Sequence, residues 1–78
     1  QLKEDLIVNI RDLIKKLPTE QREVLVMRHY EELSFQEIAE LTQVSINTAL
    51  GRMRYALINL RKMLDKQELA YDKKLYPK

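Results

Sequence analysis

The sequence predicts an all-α fold, a small bundle of about four helices that contains a helix-turn-helix and neither a wing nor other β elements. The first observation is composition, since the 78 residues include one Gly and two Pro, with Leu, Ile, Val, Ala, Glu, Lys and Arg dominant. This composition favours helices, and no alternation of apolar and polar residues runs long enough to predict a strand. The second observation is a pair of helix-start signals, at Ser34 and Ser45, with room between them only for a short helix and a tight turn.

The first two helices are predicted from apolar spacing and from one proline. A helix from about Lys3 to Lys16 would align Leu2, Leu6, Ile10, Leu13, Ile14 and Leu17. Because the residue before a proline is biased away from helical conformation, Leu17-Pro18 marks a boundary. Thr19 is then expected to cap a second helix that ends between Tyr30 and Glu32.

The third and fourth helices form the predicted helix-turn-helix. Ser34 and Glu37 have the spacing of a capping box, which would start a helix over 35–42. A turn follows at Gln43, where a left-handed residue is usual and Gln in place of Gly costs on the order of 1 kcal/mol. Ser45 is placed to cap the fourth helix.

Rotation by about 100° per residue divides the fourth helix into two faces. The predicted core face carries Ile46, Ala49, Leu50, Met53, Ala56, Leu57, Leu60 and Leu64. The outward face and its flanks carry Asn47, Thr48, Gly51, Arg52, Tyr55, Asn59 and Lys62, with Arg54 and Arg61 on one edge. The pattern weakens after Asp65, so we predict a domain over residues 1–65 and a tail over 66–78 that is a short helix extension or disordered.

The fourth helix is basic, although the whole chain has a formal charge of only +2. Residues 45–64 contain four Arg or Lys residues and no acid. A basic second helix after a tight turn is how helix-turn-helix proteins enter the major groove, with N-terminal side chains at base edges and flanking side chains at phosphates. The sequence therefore predicts double-stranded DNA as a ligand.

Individual residues on the outward face have more than one interpretation. Arg52 can donate two hydrogen bonds to the edge of a guanine, or it can bind a phosphate. Tyr55 can stack on a base, touch a thymine methyl or hydrogen-bond to the DNA backbone. Arg54 suits a phosphate, as do the backbone N–H groups near Ser34 and Ser45.

Gly51 is the chain's single glycine, and it falls inside the fourth helix. Glycine within a helix costs roughly 1 kcal/mol relative to alanine. The cost is explained if the helix backbone must approach a base or sugar closely. The alternative is a tolerated surface position.

Composition also disfavours several functional classes. Without cysteine, and with His29 as the single histidine, the chain offers no disulfide framework, thiolate zinc site or nucleophile–base pair. No signal peptide is visible in the given sequence, and no apolar run in it is long enough to span a bilayer. We expect a cytoplasmic protein that is not an enzyme, uses no cofactor or metal, and does not bind membranes.

Residues 17–62 resemble the fourth conserved region of sigma-70 family RNA polymerase subunits, nearest to the extracytoplasmic-function type. The resemblance rests on Leu17-Pro18, on the run 22–24 (Arg-Glu-Val) and on the helix and turn over 34–44. It implies a four-helix domain that binds the −35 promoter element through its last helix, docks on the β-subunit flap of core RNA polymerase and can be masked by an anti-sigma factor. By position, the DNA contacts that it implies are Arg28, Ser34, Phe35, Ser45, Asn47, Thr48, Gly51, Arg52, Arg54 and Tyr55.

Three positions depart from the family's pattern. Gln43 replaces the usual turn glycine, Leu50 stands where a basic residue is frequent, and Tyr55 stands where arginine is common. These departures bear on the preferred base sequence and on the number of phosphates held, and they leave the fold unaffected.

Two other functions remain open at this point. The output domain of a response regulator shares the same helix pair. A protein-interaction module with no useful DNA affinity is suggested by the apolar stripe of the first helix and by the aromatic residues of the tail.

Overall fold

The computed structural model describes the backbone of residues 10–75 and the side chains of residues 10–66. Four helices follow one another in this range: α1 (Ile10–Lys15), α2 (Thr19–His29), α3 (Phe35–Thr42) and α4 (Ile46–Leu75). Residues 10–75 include no strand, and none of their helices is long and apolar enough to cross a membrane. The predicted all-α bundle with a helix-turn-helix is confirmed, while the predicted first turns of helix one, from Lys3 to Asn9, lie outside the described residues.

The boundary between α1 and α2 lies at the predicted proline, but the cap of α2 differs from the prediction. Pro18 is the N-cap residue, with φ −53° and ψ 147°, and no side chain caps this helix. The Pro18 carbonyl accepts a hydrogen bond from the Arg22 N–H at 2.9 Å. The prediction that Thr19 caps α2 is wrong, because Pro18 has an extended ψ and its carbonyl accepts the first helical hydrogen bond, which makes Pro18 the N-cap and Thr19 the first helical residue.

Both predicted caps of the helix-turn-helix form. Ser34 Oγ accepts from the Glu37 N–H at 3.0 Å, and Glu37 Oε1 accepts from the Ser34 N–H at 2.8 Å. The hydrogen bonds from the Ser34 backbone and then from its side chain hold the pKa of Glu37 below its ordinary value. At the next helix, Ser45 Oγ accepts from the Thr48 N–H at 3.1 Å. Gln43 has the expected left-handed conformation, with φ 60° and ψ 45°.

The core consists of two clusters that share α2 and α4. One joins α1 and the turn after it to α2 and α4, and contains Leu13, Ile14, Leu17, Leu25, Ala56 and Leu60. The other joins α2, α3 and α4, and contains Val24, Ile38, Ala39 and Ala49. Met53 packs against both clusters. The position of α4 is therefore fixed by each of the three shorter helices.

Three residues of the predicted core face of α4 are about half exposed. Ile46, Leu50 and Leu57 are 45%, 43% and 51% exposed. Ala49 and Ala56 are fully buried at the centre of the helix contacts. Leu50 and Leu57 each lie about 100° around the helix from these alanines, beyond the arc that the other helices cover. The apolar stripe is thus wider than the surface that the bundle buries.

The fourth helix is longer than its apolar pattern predicted. The pattern ends at Leu64, whereas α4 continues as one helix of 30 residues to Leu75. No helix boundary falls at residue 65. The division into a domain over 1–65 and a tail over 66–78 stays a prediction.

Candidate nucleic-acid interface

The outward side of α4 presents a ridge of polar residues. Asn47, Thr48, Arg54 and Tyr55 are exposed, and Gly51 lies half-buried among them. These five residues, which we call the α4 ridge, fall within about 120° of rotation, since each residue advances about 100°. Asn47 and Arg54 are seven residues apart, which is about 10 Å along the axis. The structure therefore brings half of the predicted DNA-contact residues onto one exposed surface.

The N-terminal end of the α4 ridge is ordered by two hydroxyl groups. Ser45 Oγ accepts from the Thr48 N–H and donates to Thr48 Oγ1 at 3.0 Å. Because Thr48 Oγ1 accepts this bond, its own proton can be donated outward. The N-terminus of a helix carries partial positive charge. This end of α4 is suited to a phosphate or to an acceptor on a base edge.

The start of α3 is less open to a phosphate than the sequence suggested. Ser34 is exposed, but its N–H is already bonded to the Glu37 carboxylate. That carboxylate occupies the helix N-terminus, where negative charge is favoured. A phosphate at this point would meet the charge of Glu37. The carboxylate of Glu37 therefore already occupies part of the phosphate site that was predicted near Ser34.

Arg28 and Phe35 lie together at the junction of α2 and α3. Arg28 Nη1 donates to the Leu33 carbonyl at 3.0 Å. The guanidinium carbon lies 4.9 Å from the centroid of the Phe35 ring, a distance at which a cation is attracted to the ring face. Arg28 is exposed and has further donors. Its contacts in this structure hold the loop before α3, and its predicted contact with DNA stays a prediction.

Arg52 lies on the flank of α4 that faces α2, about 40° around the helix from Thr48 at the edge of the α4 ridge. Arg52 Nη2 is 3.5 Å from Glu20 Oε2, and the side chains are 23% and 70% exposed respectively. Two turns further on, Asn59 Nδ2 donates to Gln21 Oε1 at 2.8 Å. Both α4 residues were placed outward or on the flanks by rotation alone. An ion pair with so exposed a partner contributes little, about 0–1 kcal/mol, so a nucleic acid can compete with Glu20 for the guanidinium.

Nothing in the described part of the chain requires glycine at position 51. A Cβ atom added there would meet no heavy atom within 4 Å. Its φ is not positive, so the backbone conformation is open to other residues. The two interpretations of Gly51, close approach of a nucleic acid and a tolerated surface position, both remain.

These two interpretations predict different outcomes for Gly51→Ala. Alanine should stabilise α4 by about 1 kcal/mol, because it restricts the unfolded chain and favours the helix. If the α4 backbone lies against a base or sugar, the same methyl group should weaken promoter binding about tenfold. Urea unfolding and fluorescence anisotropy on one protein sample measure the two effects. Unchanged DNA affinity in the stabilised variant would leave Gly51 as a tolerated position.

Comparison with known proteins identifies the family. Residues 7–57 match the family model for sigma-70, region 4. The RNA polymerase sigma-E factor of Streptomyces avermitilis is 35% identical over 60 residues, which are 77% of this chain and 34% of that protein. The RNA polymerase sigma factor SigV of Bacillus subtilis is 31% identical over 62 residues, 80% of this chain and 37% of that protein. The chain spans about a third of the length of these curated relatives.

The match begins ten residues before the segment 17–62 that carried the resemblance and ends five residues before its end. It includes much of the segment before Pro18 and ends within α4, at Leu57. It covers the helix-turn-helix and all ten predicted DNA-contact positions, whose individual roles stay predictions. The expected family is confirmed, and the response-regulator alternative is not favoured. The chain belongs to the sigma-70 region 4 family, of the extracytoplasmic-function type.

Proposed function

We propose that this chain is the module with which a sigma factor recognises the −35 element of promoters and so supports transcription initiation. The α4 ridge carries the proposal, because it is exposed, follows a capped turn and belongs to a segment, 45–64, without any acidic residue. Membership of the sigma-70 region 4 family supports it. The role is one of recognition, with no reaction catalysed, and it would be carried out in the cytoplasm.

The dimensions of the α4 ridge fit a helix in the major groove. The groove is about 12 Å wide, which admits an α-helix with a diameter, including side chains, of about 10–12 Å. Asn47 and Thr48, at the helix start, are proposed to face base edges. Arg54 and Tyr55, two turns later, would then reach the sugar–phosphate backbone or the bases beside it.

We also propose that the domain docks on the β-subunit flap of core RNA polymerase and that an anti-sigma factor can mask it. The support is the exposed apolar strip formed by Ile46, Leu50 and Leu57. Apolar side chains gathered on one surface are typical of protein interaction sites. The strip lies beside the α4 ridge, so a protein bound there would also restrict access of DNA to the ridge. Reconstitution of Leu57→Glu with core polymerase tests the docking, and undiminished binding would contradict it.

The salt dependence of promoter binding tests the proposed recognition. Each phosphate neutralised by the protein contributes about −0.9 to the slope of log K against log salt concentration. Arg54→Ala should therefore make the slope about 0.9 shallower and weaken binding to all duplexes alike. Fluorescence anisotropy with a promoter duplex, at several salt concentrations, measures both quantities.

Arg11→Ala is the matched control, since it removes the same charge from α1, on the side of the bundle away from the α4 ridge. Its slope should stay close to that of the unaltered chain. Equal slopes for all three proteins would remove Arg54 from the interface. Chemical-shift changes with promoter DNA that miss residues 45–55 altogether would instead favour the protein-interaction module.

A further inference from the structure

α2 and α4 are joined by a hydrogen bond between two uncharged side chains. Asn59 Nδ2 donates to Gln21 Oε1 at 2.8 Å, and both side chains are half-buried. The two residues are 38 positions apart, whereas the other side-chain hydrogen bonds within residues 10–66 join positions at most seven apart. In this range the amide pair is therefore the side-chain hydrogen bond that links two helices distant in the chain.

The ion pair between the same two helices is less permanent. Glu20 is largely exposed, so a phosphate or a base can compete with it for the guanidinium of Arg52. Gln21 and Asn59 carry no charge, and no phosphate attracts either of them away from the other. Of these two polar contacts between α2 and α4, the amide pair is the one expected to persist on a bound duplex.

The apolar contacts leave α4 some freedom of angle. Two of the three residues that α4 contributes to the buried clusters are alanines, Ala49 and Ala56, and the third is Leu60. Met53 packs against both clusters, but an unbranched methionine side chain adapts to irregular space. Packed helices show about 15–20° of scatter in their crossing angles. Asn59 lies about 60° around α4 from Ala56, so its hydrogen bond resists a tilt that the alanines allow, because such bonds weaken steeply when misaligned.

The crossing angle matters because the predicted DNA contacts come from more than one helix. Arg28 lies on α2, whereas Asn47 lies at the start of α4. Both reach one duplex only if the two helices keep their angle. Asn47 is nine residues, about 13.5 Å, from Ala56 along the axis. A tilt of about 15° around Ala56 would move Asn47 by roughly 3.5 Å, which is more than the length of a hydrogen bond to a base edge.

We propose that Gln21 and Asn59 are positioning residues for recognition of the −35 element. The pair holds α4 at the angle at which the α4 ridge and Arg28 meet one duplex together. Neither residue belongs to the α4 ridge and neither is charged. The pair therefore acts on discrimination between base sequences and leaves the attraction to phosphates unchanged. The proposal rests on the proposed promoter recognition and adds the contact that orients α4.

The double variant Gln21→Met with Asn59→Leu tests the proposal. It replaces both partners by apolar groups of similar shape, a change that is nearly neutral or stabilising, so the urea midpoint should stay the same or rise. Fluorescence anisotropy with a promoter duplex and a duplex of altered sequence measures discrimination. The ratio of the two affinities should fall at least about fivefold, the lower end of what one base contact contributes, with the salt slope unchanged. An unchanged ratio would show that the pair is only structural and would overturn the proposal.

The exchanged pair, Gln21→Asn with Asn59→Gln, is the matched control. One side chain shortens as the other lengthens, so the hydrogen bond can re-form, and the affinity ratio should return to within twofold of the unaltered chain. An equal loss of discrimination in both double variants contradicts a role for the hydrogen bond.

A measurement without DNA separates this proposal from the −35 recognition on which it rests. Residual dipolar couplings of the backbone amides in the isotope-labelled full chain report the angle between α2 and α4. The angle should change by about 10° or more in the apolar variant, within the scatter that helix packing allows, and stay constant in the exchanged pair. The same angle in all three proteins would overturn the proposal, whatever the outcome for promoter binding.

Discussion

Ile38→Ala is expected to destabilise the domain by about 2–5 kcal/mol, the range for removing large aliphatic side chains from a packed core. Ile38 is fully buried, and with Val24 it is among the largest fully buried side chains that the structure describes. It belongs to the cluster that holds α3 against α2 and α4. Because small domains are stable by about 5–15 kcal/mol, this single change would remove a large share of the total. Urea unfolding followed by circular dichroism measures it.

Leu41→Ala provides the matched control on the same helix. Leu41 is 64% exposed, and truncating a surface side chain of this kind changes stability by about 0.5 kcal/mol or less. The two variants remove similar aliphatic groups from α3 and differ mainly in burial. Equal destabilisation by both would contradict the placement of Ile38 in the core.

Arg52→Ala is expected to weaken promoter binding by about 1–3 kcal/mol if the guanidinium contacts a base. In the free chain this guanidinium is paired with Glu20, so binding to DNA would require it to exchange a carboxylate for a nucleic-acid acceptor. Glu20→Gln should then strengthen binding, because it removes both the competitor and a negative charge near the phosphates. Stability should change by less than about 1 kcal/mol, as for other pairs at the surface.

Glu23→Gln separates this effect from a general loss of negative charge. Glu23 is also an exposed carboxylate on α2, and no contact with Arg52 is seen for it. Its substitution should raise affinity less than that of Glu20. If Arg52→Ala and Glu20→Gln both leave promoter affinity unchanged, Arg52 only holds α4 against α2. Anisotropy titrations with the promoter duplex and with a duplex of altered sequence distinguish a base contact from a phosphate contact.

The parts of the fold that sequence predicted well are those encoded locally. The capping box of Ser34 and Glu37, the cap at Ser45 and the left-handed turn at Gln43 each depend on residues within a few positions of one another. Each of these is present as predicted. Thr19 shows the limit of the same reasoning, because a capping residue next to a proline does not reveal which of the two takes the N-cap position.

The parts that sequence missed depend on residues that are distant in the chain. Glu20 and Arg52 are 32 residues apart, and Gln21 and Asn59 are 38 apart. No periodicity in one helix reports which residue of another helix it will meet. The predicted core face of α4 was also too wide. The apolar pattern of one helix does not show how much of its surface the three shorter helices cover.

The candidate site was predicted in part. The residues of the α4 ridge were identified from rotation about the helix and from the family resemblance, and the structure places them on one exposed surface. The contact between Gln21 and Asn59 was not predicted, because rotation placed Asn59 only outward or on a flank.

The length of α4 has a mechanical consequence. At about 1.5 Å per residue, its 30 residues form one rod of about 45 Å, with the α4 ridge near one end and the three shorter helices packed along the same half of the rod. Because all three shorter helices pack against α4, a rotation of its distal end would turn the whole bundle with it. A protein bound at the distal end of α4 would therefore change the angle at which the α4 ridge meets DNA, without itself touching the nucleic acid.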